Sequence, residues 1–335
     1  MLQKYIDQFD VLSVVGMCKN AGKTTVVNKV IESLFGTYKL AITSIGIDGE
    51  TVDLVTDTHK PEIYVPKGTL VATAKSTLEE CDITYKVLKV FDFTTPLGKI
   101  VLVEALSDGF VKIAGPSYNS QLEVIVSEFK KYQAQKIIVD GAASRKQLGK
   151  TSVCDALILA TGASYNANLD KVVDDTRIQA EVLDIPYSSG IDIAKEVLSE
   201  SKLGFIYKDS SYRLFDVSLG FESIETILTE LDDDVSHIVI GGALTDTTLS
   251  KFISNLKKIK GIEIVVKNPV NVIASPKVIQ KFRDTKMKLT TVEKSTLLFV
   301  SCNPVSAYGY HFDASELTNE LRKVINKDII NVIGG

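Results

Sequence analysis

The sequence predicts an α/β protein: a phosphate-loop NTPase domain with a mostly parallel sheet and an inserted antiparallel ribbon, followed by a smaller α/β domain. Three observations carry this expectation. The apolar run Val11-Leu12-Ser13-Val14-Val15 leads directly into Gly16-Met17-Cys18-Lys19-Asn20-Ala21-Gly22-Lys23-Thr24-Thr25 and then into a helical pattern. Short apolar runs alternate with helical spacing along much of the chain, which is the signature of strands crossed over by helices. Between Glu62 and Leu106 the helical spacing gives way to β-rich runs with a turn at Pro96-Leu97-Gly98.

The Gly16–Thr25 segment is read as a phosphate loop. A tight turn between a strand and a helix leaves successive N–H groups pointing inward, and the helix adds the positive end of its dipole. In this reading Gly16, Cys18, Lys19, Asn20, Ala21, Gly22, Lys23, Thr24 and Thr25 bind the nucleotide. Lys23 reaches the outer phosphates, Thr24 ligates Mg²⁺ and Thr25 donates to an inner phosphate. The usual pattern has its first glycine four residues before the Gly-Lys pair, where this chain has Met17, with the glycine displaced to Gly16. One branch of phosphate-loop ATPases carries a second lysine five residues before the motif lysine. That position is Cys18 here, so Lys19 reads as a solvated loop charge. Cys18 reads as a small residue suited to a tight turn, with a modifiable thiol as the alternative.

The first helix is expected over Thr24–Phe35 and a second buried strand over Tyr38–Ile45, ending at Gly46-Ile47-Asp48-Gly49-Glu50. Asp48 and Glu50 are candidate catalytic carboxylates that position the attacking water. The region 62–106 is expected to form the antiparallel ribbon. A helix is expected over Gln121–Tyr132, followed by the strand Lys136-Ile137-Ile138-Val139-Asp140 and Gly141. Asp140 at this strand tip is a candidate Mg²⁺ ligand, but Glu104 at the end of Val101-Leu102-Val103 competes for the role. Next come the strand Ala156–Gly162 and a helix over Leu169–Leu183. A boundary is expected at 195–203, where Ser199-Glu200-Ser201-Lys202-Leu203-Gly204 has linker-like content, giving a nucleotide-binding domain over 1–202 and a second α/β domain over 203–335. The second domain is expected to contain a hairpin at 204–215, then strands near 237–242, 262–266, 297–300 and 329–333 with intervening helices. The run Lys257-Lys258-Ile259-Lys260 reads as a solvated helix end.

Composition is that of an ordinary globular chain: 335 residues, 45% hydrophobic, 24% charged and mean hydropathy +0.13. Net charge −4 and a pI near 5.6 offer no footprint for nucleic acid or an anionic membrane. No apolar run approaches the length of a membrane span, and Met1–Asp7 does not read as a signal peptide, so a cytoplasmic address is expected. Cys18, Cys81, Cys154 and Cys302 lie far apart without metal-ligand spacing, and His59, His237 and His311 are isolated from one another.

Several stretches together carry a family resemblance: Gly16–Thr25, Gly46–Glu50 with Lys60-Pro61, Gly115-Pro116-Ser117-Tyr118-Asn119-Ser120, Asp140–Lys146, Ile158–Ala163 and Cys302-Asn303-Pro304. On these the chain resembles the small phosphate-loop subunit of the reactivating factors of adenosylcobalamin-dependent lysine and ornithine aminomutases. The resemblance implies a nucleotide-driven chaperone, a reactivase in which ATP and Mg²⁺ serve as cofactors and hydrolysis drives release of damaged cobalamin. It also implies a larger partner subunit with a mismatch-repair-like ATPase domain and an aminomutase client. A homodimer is compatible with the sequence, which lacks the Asp-x-His-x-x-Gly spacing of some corrinoid-binding modules.

Two other functions stand beside this one. More distantly the loop resembles the dethiobiotin synthetase group, which implies a small-molecule kinase or ATP-dependent ligase. Thr161, Ser164 and Gly115-Pro116-Ser117 would then line the acceptor pocket. It also resembles the GTP-binding cofactor-assembly proteins, which implies an adaptor without turnover. The Asn-Lys-x-Asp signature of many GTPases does not occur, since Asn326-Lys327-Asp328 lacks the spacing. That leans toward ATP without fixing the base.

Overall fold

Six consecutive buried residues, Val11–Gly16, form β1 inside a nine-stranded sheet. The computed structural model describes residues 2–45, 62–141, 153–216 and 221–332. Further strands are β2 (Leu40–Ser44), β3 (Ile63–Val65), β4 (Leu70–Ala74), β5 (Tyr85–Thr95), β6 (Gly98–Ala105), β7 (Gly109–Val111), β8 (Lys136–Asp140) and β9 (Ala156–Gly162). They are followed by β10 (Leu203–Tyr207), β11 (Tyr212–Leu214), β12 (Val235–Ile240), β13 (Leu244–Thr245), β14 (Glu263–Val266), β15 (Val272–Ile273), β16 (Lys288–Thr291), β17 (Thr296–Asn303) and β18 (Asp328–Asn331).

The large sheet has the order β18-β17-β9-β1-β8-β2-β4-β6-β5. All pairs from β18 to β4 are parallel, whereas β6 runs antiparallel to both β4 and β5. The expected antiparallel ribbon therefore continues the edge of the main sheet, with β3 and β7 forming a separate two-stranded pair. Parallel strands need cover on both faces, and the alternation along β8 shows it. Ile138 joins a cluster with Val26, Val30 and Leu34 of the helix Lys23–Leu34. Ile137 and Val139 face Leu122, Ile125 and Phe129 of the helix Asn119–Lys131 on the other side.

Lys136, at the first position of β8, is buried, and its ammonium donates to the carbonyls of Ile6, Asp7 and Phe9 at 3.3, 2.8 and 2.7 Å. These acceptors satisfy a charge whose burial would otherwise be costly.

The chain divides into two compact units, Met1–Arg177 with Thr296–Gly335, and Ile178–Ser295. The division expected at 202 is thereby corrected. Of the stretch read as linker-like, Ser199 and Glu200 end the helix Ile191–Glu200, which buries Ala194 and Val197, and Leu203 and Gly204 open β10. Nor do residues 203–335 form one domain, because β17 pairs with β9, and β18 with β17, in the first sheet. Strand and helix spacing reveals that β17 exists but not which sheet offers it an edge.

The second unit carries a five-stranded sheet of order β11-β10-β12-β14-β16, with β12, β14 and β16 parallel. Its core includes Phe205, Ile238, Phe252, Ile264 and Phe282. The sequence reading did not anticipate β16 or the helix Pro276–Asp284. Lys257, Lys258 and Lys260 are exposed, as expected of a solvated helix end.

Candidate functional site

Backbone hydrogen bonds tie down both ends of the loop after β1. Met17 N–H donates to the Ala160 carbonyl at 2.9 Å, and Val26 N–H donates to the Gly22 carbonyl at 3.0 Å. In between, the N–H groups of Cys18, Ala21 and Gly22 make no hydrogen bond among the described residues. The first-turn amides of the helix Lys23–Leu34 add the orphan donors that any helix start presents. Asn20 and Gly22 adopt left-handed conformations, with φ of 59° and 92°, which fold the loop back over the helix start.

Lys23 is only 8% exposed, and among the described residues its ammonium has no hydrogen-bond or ion-pair partner. Its stem lies against Gly16, where an added Cβ would stand 3.0 Å from Lys23 Cδ and 3.2 Å from the Cys18 carbonyl oxygen. The displaced glycine thus has a role of its own, since it lets the lysine run flat along the loop. Thr24 and Thr25 are half-buried in the first turn, and Lys19 is exposed. Burial pushes the Cys18 thiol up to about 11 against the opposing pull of Lys23. The small-residue reading of Cys18 therefore fits better than an activated thiol.

Asp140 ends β8, the strand beside β1, and pairs in register with Val14 on one side and Ser44 on the other. Glu104 lies elsewhere. Because β6 runs antiparallel, its carboxyl end pairs with Leu70 at the start of β4. There Glu104 lines a depression with Tyr38, Lys39, Leu40 and Thr69, at the amino-terminal edge of the parallel strands. Of the two candidate carboxylates, only Asp140 shares the edge of the sheet that carries the loop. Asp48 and Glu50 lie outside the described residues.

On the other side of β1 the tips of β9 and β17 are interlocked. Gly162 pairs with Asn303, and a Cβ at Gly162 would stand 2.1 Å from the Asn303 carbonyl oxygen, so no side chain fits there. Ser164 Oγ accepts from Ala307 N–H at 3.1 Å, and Tyr310 OH donates to the Ala163 carbonyl at 2.7 Å. The Tyr310 hydroxyl thus ties this segment to the tip of β9. Thr161 is fully buried and shares a 2.7 Å hydrogen bond with Thr176 Oγ1. Asn303, read from the sequence within the Cys302-Asn303-Pro304 stretch of the family resemblance and given no role of its own, is brought against the loop: a Cβ at Gly22 would meet its Cβ at 3.2 Å and its Nδ2 at 3.4 Å. The Asn-Pro pair ending an apolar strand was the available signal, but it does not say which strand tips are neighbours.

Among the described residues no group of three or more His, Cys, Asp or Glu is arranged to hold a metal, and no helix is long and apolar enough to cross a membrane. Compared with family models, curated proteins and solved structures, the chain matches none.

Proposed function

We propose that this chain binds Mg–ATP at the Gly16–Thr25 loop and hydrolyses it to drive reactivation, by release of damaged cobalamin, of an adenosylcobalamin-dependent aminomutase. The observation that carries the nucleotide part is Lys23. A buried ammonium without a counter-charge among the described residues, beside unbonded loop amides, is matched by a polyanion. The donor set also suits Mg²⁺ bound to phosphate: one hydroxyl at Thr24 and one carboxylate at Asp140, leaving the other positions to phosphate oxygens and water. Lys23 and the amides would orient the phosphates and stabilise charge developing on them, while Asp48 or Glu50 would position water. Magnesium would neutralise the outer phosphates when bound.

The client part rests on the family resemblance, together with a larger subunit bearing a mismatch-repair-like ATPase domain. A partner opens a cofactor pocket only by binding the open form better than the closed one, and nucleotide turnover makes that preference cyclic. The kinase or ligase alternative draws less support, because Thr161 and Ser164, two of its candidate acceptor-pocket residues beside Gly115-Pro116-Ser117, are committed to internal hydrogen bonds.

The test is phosphate release by the purified chain with the larger subunit and the inactivated aminomutase present. Lys23→Ala is expected to lower the rate on the order of 10²-fold. A parental rate in that variant overturns the loop assignment, and turnover that needs an added metabolite but no protein overturns the chaperone role.

A further inference from the structure

We infer that the second unit carries a transition-metal site, in which His237 Nε2, Glu263 Oε2 and Ser189 Oγ hold a divalent ion of the zinc class. All three residues belong to the Ile178–Ser295 unit, so the site does not depend on the nucleotide reading.

The hydrogen bonds around these atoms fix which lone pairs converge. Ser236 Oγ donates its single proton to the Ile206 carbonyl at 2.9 Å, so it accepts at its 2.8 Å contact with His237 Nδ1, and the imidazole proton sits on Nδ1. Nε2 is then the ring atom with a lone pair, and it faces Ser189 Oγ at 3.0 Å. On Glu263, Oε1 accepts from Ser188 Oγ, Thr290 Oγ1 and the Ser189 N–H at 2.7, 2.8 and 3.1 Å, while Oε2 turns to Ser189 Oγ at 2.9 Å. One serine proton thus serves two acceptors, an imidazole and a carboxylate, and such a surplus of electron pairs suits a cation. In metal centres a ligating histidine gives its other N–H to a fixed acceptor, and a ligating carboxylate is itself hydrogen-bonded. His237 and Glu263 have both supports.

The spacing of the three atoms fits as well. Ser189 to His237 at 3.0 Å, Ser189 to Glu263 at 2.9 Å and His237 to Glu263 at 3.8 Å form a triangle whose corners lie about 1.9 Å from a common point. An ion just out of that plane meets the roughly 2.0–2.2 Å of zinc bonds to nitrogen and oxygen. Magnesium favours an all-oxygen octahedral shell and suits an imidazole poorly. His237 on β12 and Glu263 on β14 stand opposite each other in parallel register, with side chains 13% and 7% exposed, so the sheet itself sets their separation. Gly190 keeps Nε2 accessible, since a Cβ there would crowd it at 3.2 Å. Ser189 is exposed, which leaves the remaining coordination positions to solvent. The Lys288 charge opposes a cation here, but at His237 the Glu263 charge outweighs it. The set is two side chains of the usual ligand types completed by a hydroxyl.

The experiment titrates Zn²⁺ into the chelator-stripped full chain at neutral pH, without nucleotide or Mg²⁺, in competition with a chromogenic chelator. Wild type is expected to bind a zinc ion that His237→Ala and Glu263→Gln each weaken on the order of 10²-fold, the upper end of what even an outer-shell loss costs. Ser236→Ala keeps all three ligands and removes only the acceptor for the Nδ1 proton, so it is expected to weaken zinc roughly tenfold. Ser189→Ala, at an exposed position, is expected to weaken it as well. Circular dichroism reports whether each variant is folded, and the two serine variants decide the case should those at His237 and Glu263 fail to fold. Wild type that binds no zinc overturns the inference, and so does zinc that the folded variants retain at parental affinity. Displacement of the zinc by an equal concentration of Mg²⁺ overturns it too.

Discussion

Asp140 stands opposite Val14 in the parallel register of β8 and β1, two residues before the strand gives way to the loop at Gly16. This pairing places a carboxylate next to the loop, whereas Glu104, equally acidic and equally at a strand end, faces the other edge of the sheet. On the proposed function, Asp140→Asn should lower Mg²⁺-dependent hydrolysis on the order of 10²-fold and raise the Mg²⁺ concentration needed for half-maximal rate. Glu104→Gln should leave both unchanged. A magnesium titration of the two variants decides it: an effect confined to Glu104→Gln would reverse the assignment.

Cys18 lies within the loop, yet its surroundings oppose reactivity. With the thiol pushed from 9.0 to about 11 by burial, the thiolate fraction at neutral pH is lowered roughly a hundredfold. Alkylation by iodoacetamide at pH 7.5, followed by peptide mass spectrometry, should therefore modify Cys18 far more slowly than a free cysteine peptide. Cys154, pushed up to about 12 and fully buried, should resist as well. Rapid labelling of Cys18 in the folded chain would show that the loop opens on that timescale.

The loop, β1, β8 and the helix Leu169–Leu183 were legible in the sequence because local pattern determines them. The run from Val11 to Thr25 joins a strand pattern, a glycine-bearing turn and a helix pattern, each specified by neighbours in the chain. What was not legible depends on pairing at a distance. Asp140 and Glu104 look alike in one dimension and differ only in strand direction. Asn303 lies 281 positions beyond Gly22 and meets it because β17 docks against β9 across the gap left by the second unit. The helix Ile191–Glu200 was missed for another reason. Its Glu and Ser content resembles a linker, while Ala194 and Val197 are the fully buried positions that anchor it.

In the second unit Ser189 Oγ lies 3.0 Å from His237 Nε2 and 2.9 Å from Glu263 Oε2, and this cluster sets a pH dependence. Burial holds His237 below its usual value, opposed by the Glu263 charge and reinforced by Lys288, so the native imidazole is neutral where an unfolded one is protonated. For Glu263, burial raises the carboxyl. The hydroxyls of Ser188, Thr290 and Ser189 and the Ser189 N–H outweigh it, leaving the group below its usual range. Both shifts have the same sign for stability. As pH falls through 6.5 the unfolded chain takes up a proton on His237 before the folded one does, and as it falls through 4.5 the same holds for Glu263. The unit should thus lose stability in two stages on acidification. Denaturant melts of the full chain, followed by hydrogen exchange in β12 and β14, should show the first stage near pH 6 disappear in His237→Asn while the second remains. Glu263→Gln should cost about 1–3 kcal/mol at neutral pH, because the oriented hydroxyls lose a charged acceptor, and should flatten the second stage. An unchanged profile in His237→Asn would remove the histidine from this account.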